Sequence, residues 1–400
     1  MKFSGRIVLL VIVVFILSTN LCYGQSVGKQ YLTKGVDYAV QGKLKEAKKE
    51  FEKALELDPF NETRKLLLKV IKDGVEKEID QKTAIHFFKG TDYAIKGQID
   101  DAITEYDKAI ETDQRYVPTY IIRGAAYNSL GKYQRSIENY NEVIRLDPMY
   151  VAAYINRGVA YYNLGLHQRA IVDFDKAISI NPKSASSYNN RGNAYNDLEK
   201  HQRAIEDFDQ AIRLSPNFAN AHYGRGIAYN GLGLHRRAIE NFDQAIRLDP
   251  KFARAYNNRG VVYDNIGRHQ QAIEDFTQAI QLAPRFAKAY NNRGNTYIEI
   301  GKNQQAIEDF NQAIRINPRY ALAYANRGLS YDNLGRHQLA IDDYNKAIRF
   351  NPNSADAYNN RGNAFYHLGK RNIACKDFQK ACELGVCQGF NLAKKNGICK

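Results

Sequence analysis

The sequence predicts an all-α protein, a solenoid of stacked antiparallel helix pairs, on three observations. Prolines at 148, 182, 216, 250, 284, 318 and 352 stand 34 residues apart. Glycine, alanine and aromatic residues keep a fixed register against those prolines. The word Tyr-Asn-Asn-Arg-Gly recurs at 188–192, 256–260, 290–294 and 358–362. A repeat of this length, apolar at helical spacing, is a helix–turn–helix unit that cannot bury both faces alone and so stacks on its neighbours.

The elements follow in order. Residues 1–24 read as a signal peptide: Lys2 and Arg6 precede the 11-residue apolar run Ile7 to Leu17, and Cys22 and Gly24 offer a small-x-small cleavage site. Eleven residues are short for a bilayer span. The expected location is therefore export to a periplasm or the outside. The alternative is a membrane anchor formed by the uncleaved segment. A first repeat occupies 28–61. Residues 62–82 are an insertion whose Leu66, Leu67, Leu68, Val70 and Ile71 suggest a short helix, read either as a decayed half-repeat or as a hinge. A nine-repeat array fills 83–388 (83–116, 117–150, 151–184, 185–218, 219–252, 253–286, 287–320, 321–354 and 355–388). The last repeat has Val386 where proline is expected, and 389–400 reads as a capping helix and tail that covers it.

Within a repeat, positions 4, 7, 8 and 11 form the apolar stripe of the first helix. Position 8 is glycine in all ten repeats, from Gly35 to Gly362. Its missing side chain admits the second helix, with Ala204 expected to face Gly192. Glycines such as Gly131, Gly165 and Gly233 close the first helix in the left-handed conformation, and proline ends the second.

Taking 185–218 as one unit, Tyr188, Gly192, Tyr195, Ala204, Phe208, Ala211 and Pro216 resemble the marks of the tetratricopeptide repeat family. The resemblance covers about 340 of the 400 residues and is closest to multi-repeat, exported, bacterial-type members. It implies a right-handed superhelix of about ten 34-residue units, whose first helices line a concave groove, and it implies a protein-binding role.

The groove face explains the asparagines between the packed residues. Position 6 holds Asn156, Asn190, Asn258, Asn292, Asn326 and Asn360. Position 5 adds Asn189, Asn257, Asn291 and Asn359, and position 9 adds Asn193, Asn295 and Asn363. Asparagine is a poor helix former, so its recurrence there needs a reason. A carboxamide offers one acceptor and two donors, which match a peptide's own N–H and C=O. Family members carrying such a ladder hold peptide backbone with it. The competing reading is an inherited lining whose amides bond one another. Arg254 and Lys288, at position 2 of adjacent repeats, add positive charge to the same face.

Position 7 is arginine from Arg123 to Arg361, and position 23 offers carboxylates. Bidentate pairs are expected between Arg191 and Asp207, Arg259 and Asp275, and Arg293 and Asp309, with the arginine stems packed on tyrosine rings. Arg225 faces Asn241 instead. Histidines at position 17 (His167, His201, His235, His269 and His337) recur too far apart to share a metal ion. They read as half-buried aromatic substitutes or as a pH-sensitive seam. Cys375, Cys382, Cys387 and Cys399 lie within the last 26 residues. Folding the tail back about Gly385 pairs Cys382 with Cys387 and Cys375 with Cys399, stapling the cap in an oxidising compartment.

No phosphate-cradling loop, metal-spaced cluster or nucleophile elbow occurs. No catalytic residue, cofactor or metal is therefore expected, and the chain reads as a non-enzymatic scaffold. The expected partners are proteins presenting extended segments, in assembly of an envelope or secreted complex. The net charge of +14 is interspersed, without long like-charge runs. It supports one alternative, a basic solenoid binding a polyanion such as glycan, lipid head groups or nucleic acid. Nucleic acid is the least favoured of these, and a membrane enters only through an uncleaved N-terminus.

Overall fold

Glycine and proline punctuate the chain where the register places them. The computed structural model describes residues 23–59 and 61–399, and the expected signal segment lies outside these except for Tyr23 and Gly24. The described residues form 22 helices and no strand. None of these helices is long and apolar enough to cross a membrane. The fold is an all-α repeat solenoid. Every helix packs on the helix before it and the one after within each of two compact parts, Met1–Pro216 and Asn217–Lys400.

A typical repeat pairs Ala287–Glu299 with Asn303–Ile316. Gly301 between them has φ of 75°, a conformation that costs most side chains about 1–2 kcal/mol. The equivalent residue in 185–218 is Glu199, which adopts φ of 57°. The glycine at position 8 meets a ring rather than a methyl group. A Cβ on Gly192 would lie 2.9 Å from Phe208, and the alanine equivalent to Ala204 also closes on this glycine in other repeats, where a Cβ on Gly328 would lie 3.2 Å from the Ala340 carbonyl. Phe208, Phe276 and Phe310 are fully buried, as is Tyr344 at the same position. Each slots an aromatic ring into the notch that glycine leaves.

In the first half, Tyr23–Val40 and Leu44–Glu56 form the first pair, and Glu62–Val75 is the helix of the insertion. Leu67, Val70 and Ile71 are completely buried in one core with Val36, Phe51 and Phe88. The segment is thus an integral third helix, covered as a repeat helix would be. Arg64 on it donates to the Ala54 carbonyl at 2.6 Å, satisfying the end of Leu44–Glu56.

At the other end, Gln388–Lys395 occupies the place of a next repeat. Phe390, Ala393 and Ile398 cover Phe378 and Ala374. Gly389 permits the approach, because a Cβ there would collide with Asn359 Oδ1. The structure brings Cys375 to Cys399 (Cα–Cα 5.4 Å) and Cys382 to Cys387 (3.9 Å), with the sulfurs of each pair at bonding distance.

Candidate functional site

Helical geometry sends positions 5 and 6 to adjacent stripes of the first helix, and the structure gives them different environments. Position 5 is interior: Asn189, Asn257 and Asn291 are at most 1% exposed. Position 6 is half-exposed at Asn156, Asn258, Asn292, Asn326 and Asn360. In residues 217–400 the two stripes are joined across repeats. Asn292 Nδ2 donates to Asn257 Oδ1 at 3.0 Å, and Asn326 Nδ2 donates to Asn291 Oδ1 at 3.1 Å. Asn258 Nδ2 donates at 2.9 Å to the hydroxyl of Tyr223, which replaces asparagine at position 5 of its repeat. Asn257 Nδ2 donates to Asn258 Oδ1 at 3.0 Å within one helix.

Each carboxamide can therefore be accounted for. Asn292 and Asn326 commit one N–H to the preceding repeat. Their second N–H and their Oδ1 have no partner among the described residues and stay at the surface. Asn258 also accepts one bond and keeps one N–H. Asn295 and Asn193, at position 9, are half-exposed and extend the same face within their own halves. Asn360 has no such pairing, since the preceding repeat holds Ala325 at position 5. Asn156 lies beside the buried Tyr140 hydroxyl. Asn190 departs from the expected open rung. It is 6% exposed, Asn189 donates to it at 3.4 Å, and its own Nδ2 is enclosed without a partner.

Two cations flank the rungs. Arg254 lies over the Tyr223 ring at 5.4 Å, and that ring packs 4.8 Å from Phe252. Lys288 is solvent-exposed yet walled by protein. Desolvation and then the Arg254 charge push its ammonium below the usual lysine value.

The arginines are committed elsewhere. Arg191 Nε and Nη2 donate to Asp207 at 2.8 and 2.6 Å, Arg259 likewise to Asp275, and Arg293 to Asp309 at 2.8 and 2.7 Å. The bond to Asp207 holds the Arg191 guanidinium charged, above its usual range. Burial pushes the Asp207 carboxyl up, against the pull of Arg191. The third nitrogen was not anticipated. Arg191 Nη1 reaches Asp175, Arg259 Nη1 reaches Asp243 and Arg293 Nη1 reaches Thr277, each in the second helix of the preceding repeat. A signal was present, because every such arginine has an oxygen-bearing side chain 16 residues before it. Rings of Tyr188, Tyr256 and Tyr290 lie 5.5–6.0 Å from these guanidinium carbons. Arg225 Nε donates to Asn241 Oδ1 at 2.7 Å, as Arg123 Nε does to Asn139 Oδ1 at 2.8 Å. A cavity of about 430 Å³ lies beside Arg259, whose three nitrogens each already donate once, to Asp275 and to Asp243.

Four of the five histidines tie the turn of their own repeat, and His167 instead packs edge-on against Tyr162. Nδ1 of His269 and of His337 lies 2.9 and 2.6 Å from Asp264 and Asp332, and His201 and His235 lie 3.3 Å from Asn196 and Asn230. Among the described residues no group of three or more ligand-type side chains could hold a metal.

Models of the tetratricopeptide repeat match residues 29–61, 151–184, 174–206, 253–286, 287–320 and 354–385. A further TPR-repeat model matches 124–165, 192–233, 235–267 and 333–369. No curated protein matches the sequence. Among solved structures, the chain is similar to the APC/C hetero-tetramer Cut9–Hcn1, at 16% identity and a TM-score of 0.56, covering 92% of this chain and 76% of that one. It is also similar to a tetratricopeptide repeat protein from Parabacteroides merdae, at 20% identity and a TM-score of 0.55, covering 63% and 99%. These likenesses speak for the fold. With family models matching most of its length, and with the glycine–aromatic notch repeated along it, the chain belongs to the tetratricopeptide repeat family.

Proposed function

We propose that this protein–protein interaction scaffold holds extended peptide segments along the first-helix face of residues 253–360. One observation carries the reading: Asn292 and Asn326 are half-exposed and fixed by one bond each, with a donor and an acceptor left over. Because the preceding repeat orients them, these groups meet a strand's N–H and C=O without first losing rotamer freedom. Each bond contributes only about 0.5–1.5 kcal/mol net, so several rungs must act together. Arg254 and Lys288 favour a segment with an acidic residue near Asn258. The role is non-enzymatic. The cysteine pairs support export and assembly of an envelope or secreted complex, since disulfides persist in oxidising compartments.

The test is a peptide array tiled from exported proteins, probed with the wild type and with the Asn292→Ala/Asn326→Ala variant. Loss of the bound spots in the variant, with wild-type binding that tolerates added salt, supports the ladder. Unchanged spots refute it. A steep log–log fall of affinity with salt in the wild type indicates charge neutralisation of a polyanion instead.

A further inference from the structure

The turns joining first to second helices in residues 217–400 share one edge, and that edge is both basic and aliphatic. Leu234, Ile266, Leu334 and Leu368 are 37–42% exposed on it, and Leu339 and Ile373, one turn into their second helices, are 46% and 45% exposed. Arg268, Lys302, Arg336 and Lys370 stand exposed in the same turns. Across positions 13–18 of these five repeats there are six arginines and lysines and one acid, Glu299. Asp264 and Asp332 nearby are occupied by His269 and His337. The opposite turns, at 248–252, 282–286, 316–320 and 350–354, leave no large apolar side chain exposed, and Leu322, 43% exposed one residue into the next helix, is the single large aliphatic beside them among the described residues.

The fold does not explain these cations. Arg268, Lys302, Arg336 and Lys370 are the N-cap residues of their second helices and make no side-chain cap. That position ordinarily takes Ser, Thr, Asp or Asn, and a cation there opposes the positive end of the helix dipole. An anion arriving at this edge would relieve that repulsion. A soluble polyanion would use the charges but has no use for a row of exposed leucine and isoleucine. A bilayer carrying anionic lipid uses both, with phosphates on the cations and aliphatic tips at the headgroup boundary.

We propose that this edge docks the array on an anionic membrane surface, independently of peptide binding on the first-helix face. The chain has no tryptophan, so a single introduced one reports position. Full-length Leu334→Trp, and Asn353→Trp on the opposite edge as control, are mixed with phosphatidylcholine vesicles with and without phosphatidylglycerol. Leu334→Trp emission shifts to the blue only with phosphatidylglycerol and is quenched by brominated acyl chains, whereas Asn353→Trp does not respond. Adding Arg268→Glu, Lys302→Glu and Arg336→Glu weakens the partition on the order of 100-fold. The proposal is overturned if Leu334 as tryptophan stays unshifted, if the control shifts equally, or if the triple charge reversal binds as before. It is also overturned if heparin produces the same blue shift, because the edge then reads as a polyanion site.

Discussion

Asn292 donates its side-chain N–H to the carboxamide oxygen of Asn257, 35 residues earlier, at 3.0 Å. The acceptor is buried and the donor half-exposed. Structure and the proposed peptide recognition therefore meet in one side chain, and the two can be separated by mutation. Asn257→Ala removes only the buried partner. It should lower stability by about 1–3 kcal/mol and, by freeing the Asn292 rotamer while keeping its amide at the surface, weaken peptide binding less than loss of that amide does. Asn292→Ala should lower both stability and peptide affinity. Denaturant melts paired with peptide titrations check this, and equal affinity losses in the two variants would sink the distinction.

The Arg259–Asp275 pair is nearly enclosed and bidentate. Asp275→Ala leaves the guanidinium short of two acceptors and should cost about 3–5 kcal/mol. Asp275→Asn should cost clearly less, because Asn241 and Asn139 already serve Arg225 and Arg123 through a single oxygen. Urea melts of the two variants give the ranking.

Glu199 holds a left-handed backbone where the other turns of the array use glycine. Glu199→Gly should raise stability by up to about 1 kcal/mol, set by relief of strain minus the extra freedom of the unfolded chain. A lower melting temperature in this variant would contradict that balance.

Lys288 has its folded-state value pushed below the ordinary one by desolvation and by Arg254. The unfolded chain therefore binds this proton more tightly. The resulting penalty is full below the lowered folded value and disappears as pH rises toward the ordinary lysine value. Stability should carry a positive slope with pH over that alkaline window, and Lys288→Met should lose that component. Melts of both proteins across the window provide the comparison.

The cap is tied to the last repeat by cysteine pairs spanning 24 and 5 residues in sequence. Removing the longer link by Cys375→Ser/Cys399→Ser should cost about 3 kcal/mol locally. Amide exchange should quicken at 371–399 and stay unchanged at 253–320. Uniform exchange rates would show that the cap is held by Phe390 and Ala393 packing alone.

Much of this was legible because period and burial coincide. Gly192, Phe208 and Pro216 each announce one geometric need, and stacking supplies the rest of the fold. The Arg191–Asp207 pair was readable from charge at a fixed offset. Asp175, its second partner, sits in the preceding repeat and looked like an ordinary solvated carboxylate. The burial of Asn257 was not readable either, because positions 5 and 6 carry the same residue type and differ only in which neighbouring helix they meet. Asn190 was misplaced for the same reason. The insertion at 62–82 left two readings open, because the helices that cover Leu67, Val70 and Ile71 are not specified by its own short pattern.

The 35-residue reach of the asparagine bonds has an evolutionary corollary. Excising 287–320 would bring Asn326 opposite Asn257 in place of Asn291, and Arg327 opposite the Thr277 hydroxyl in place of the Asn311 side-chain oxygen, an acceptor for an acceptor. Length along this stretch is thus a free variable: copies can be lost or gained by recombination between near-identical words without leaving a mismatched joint.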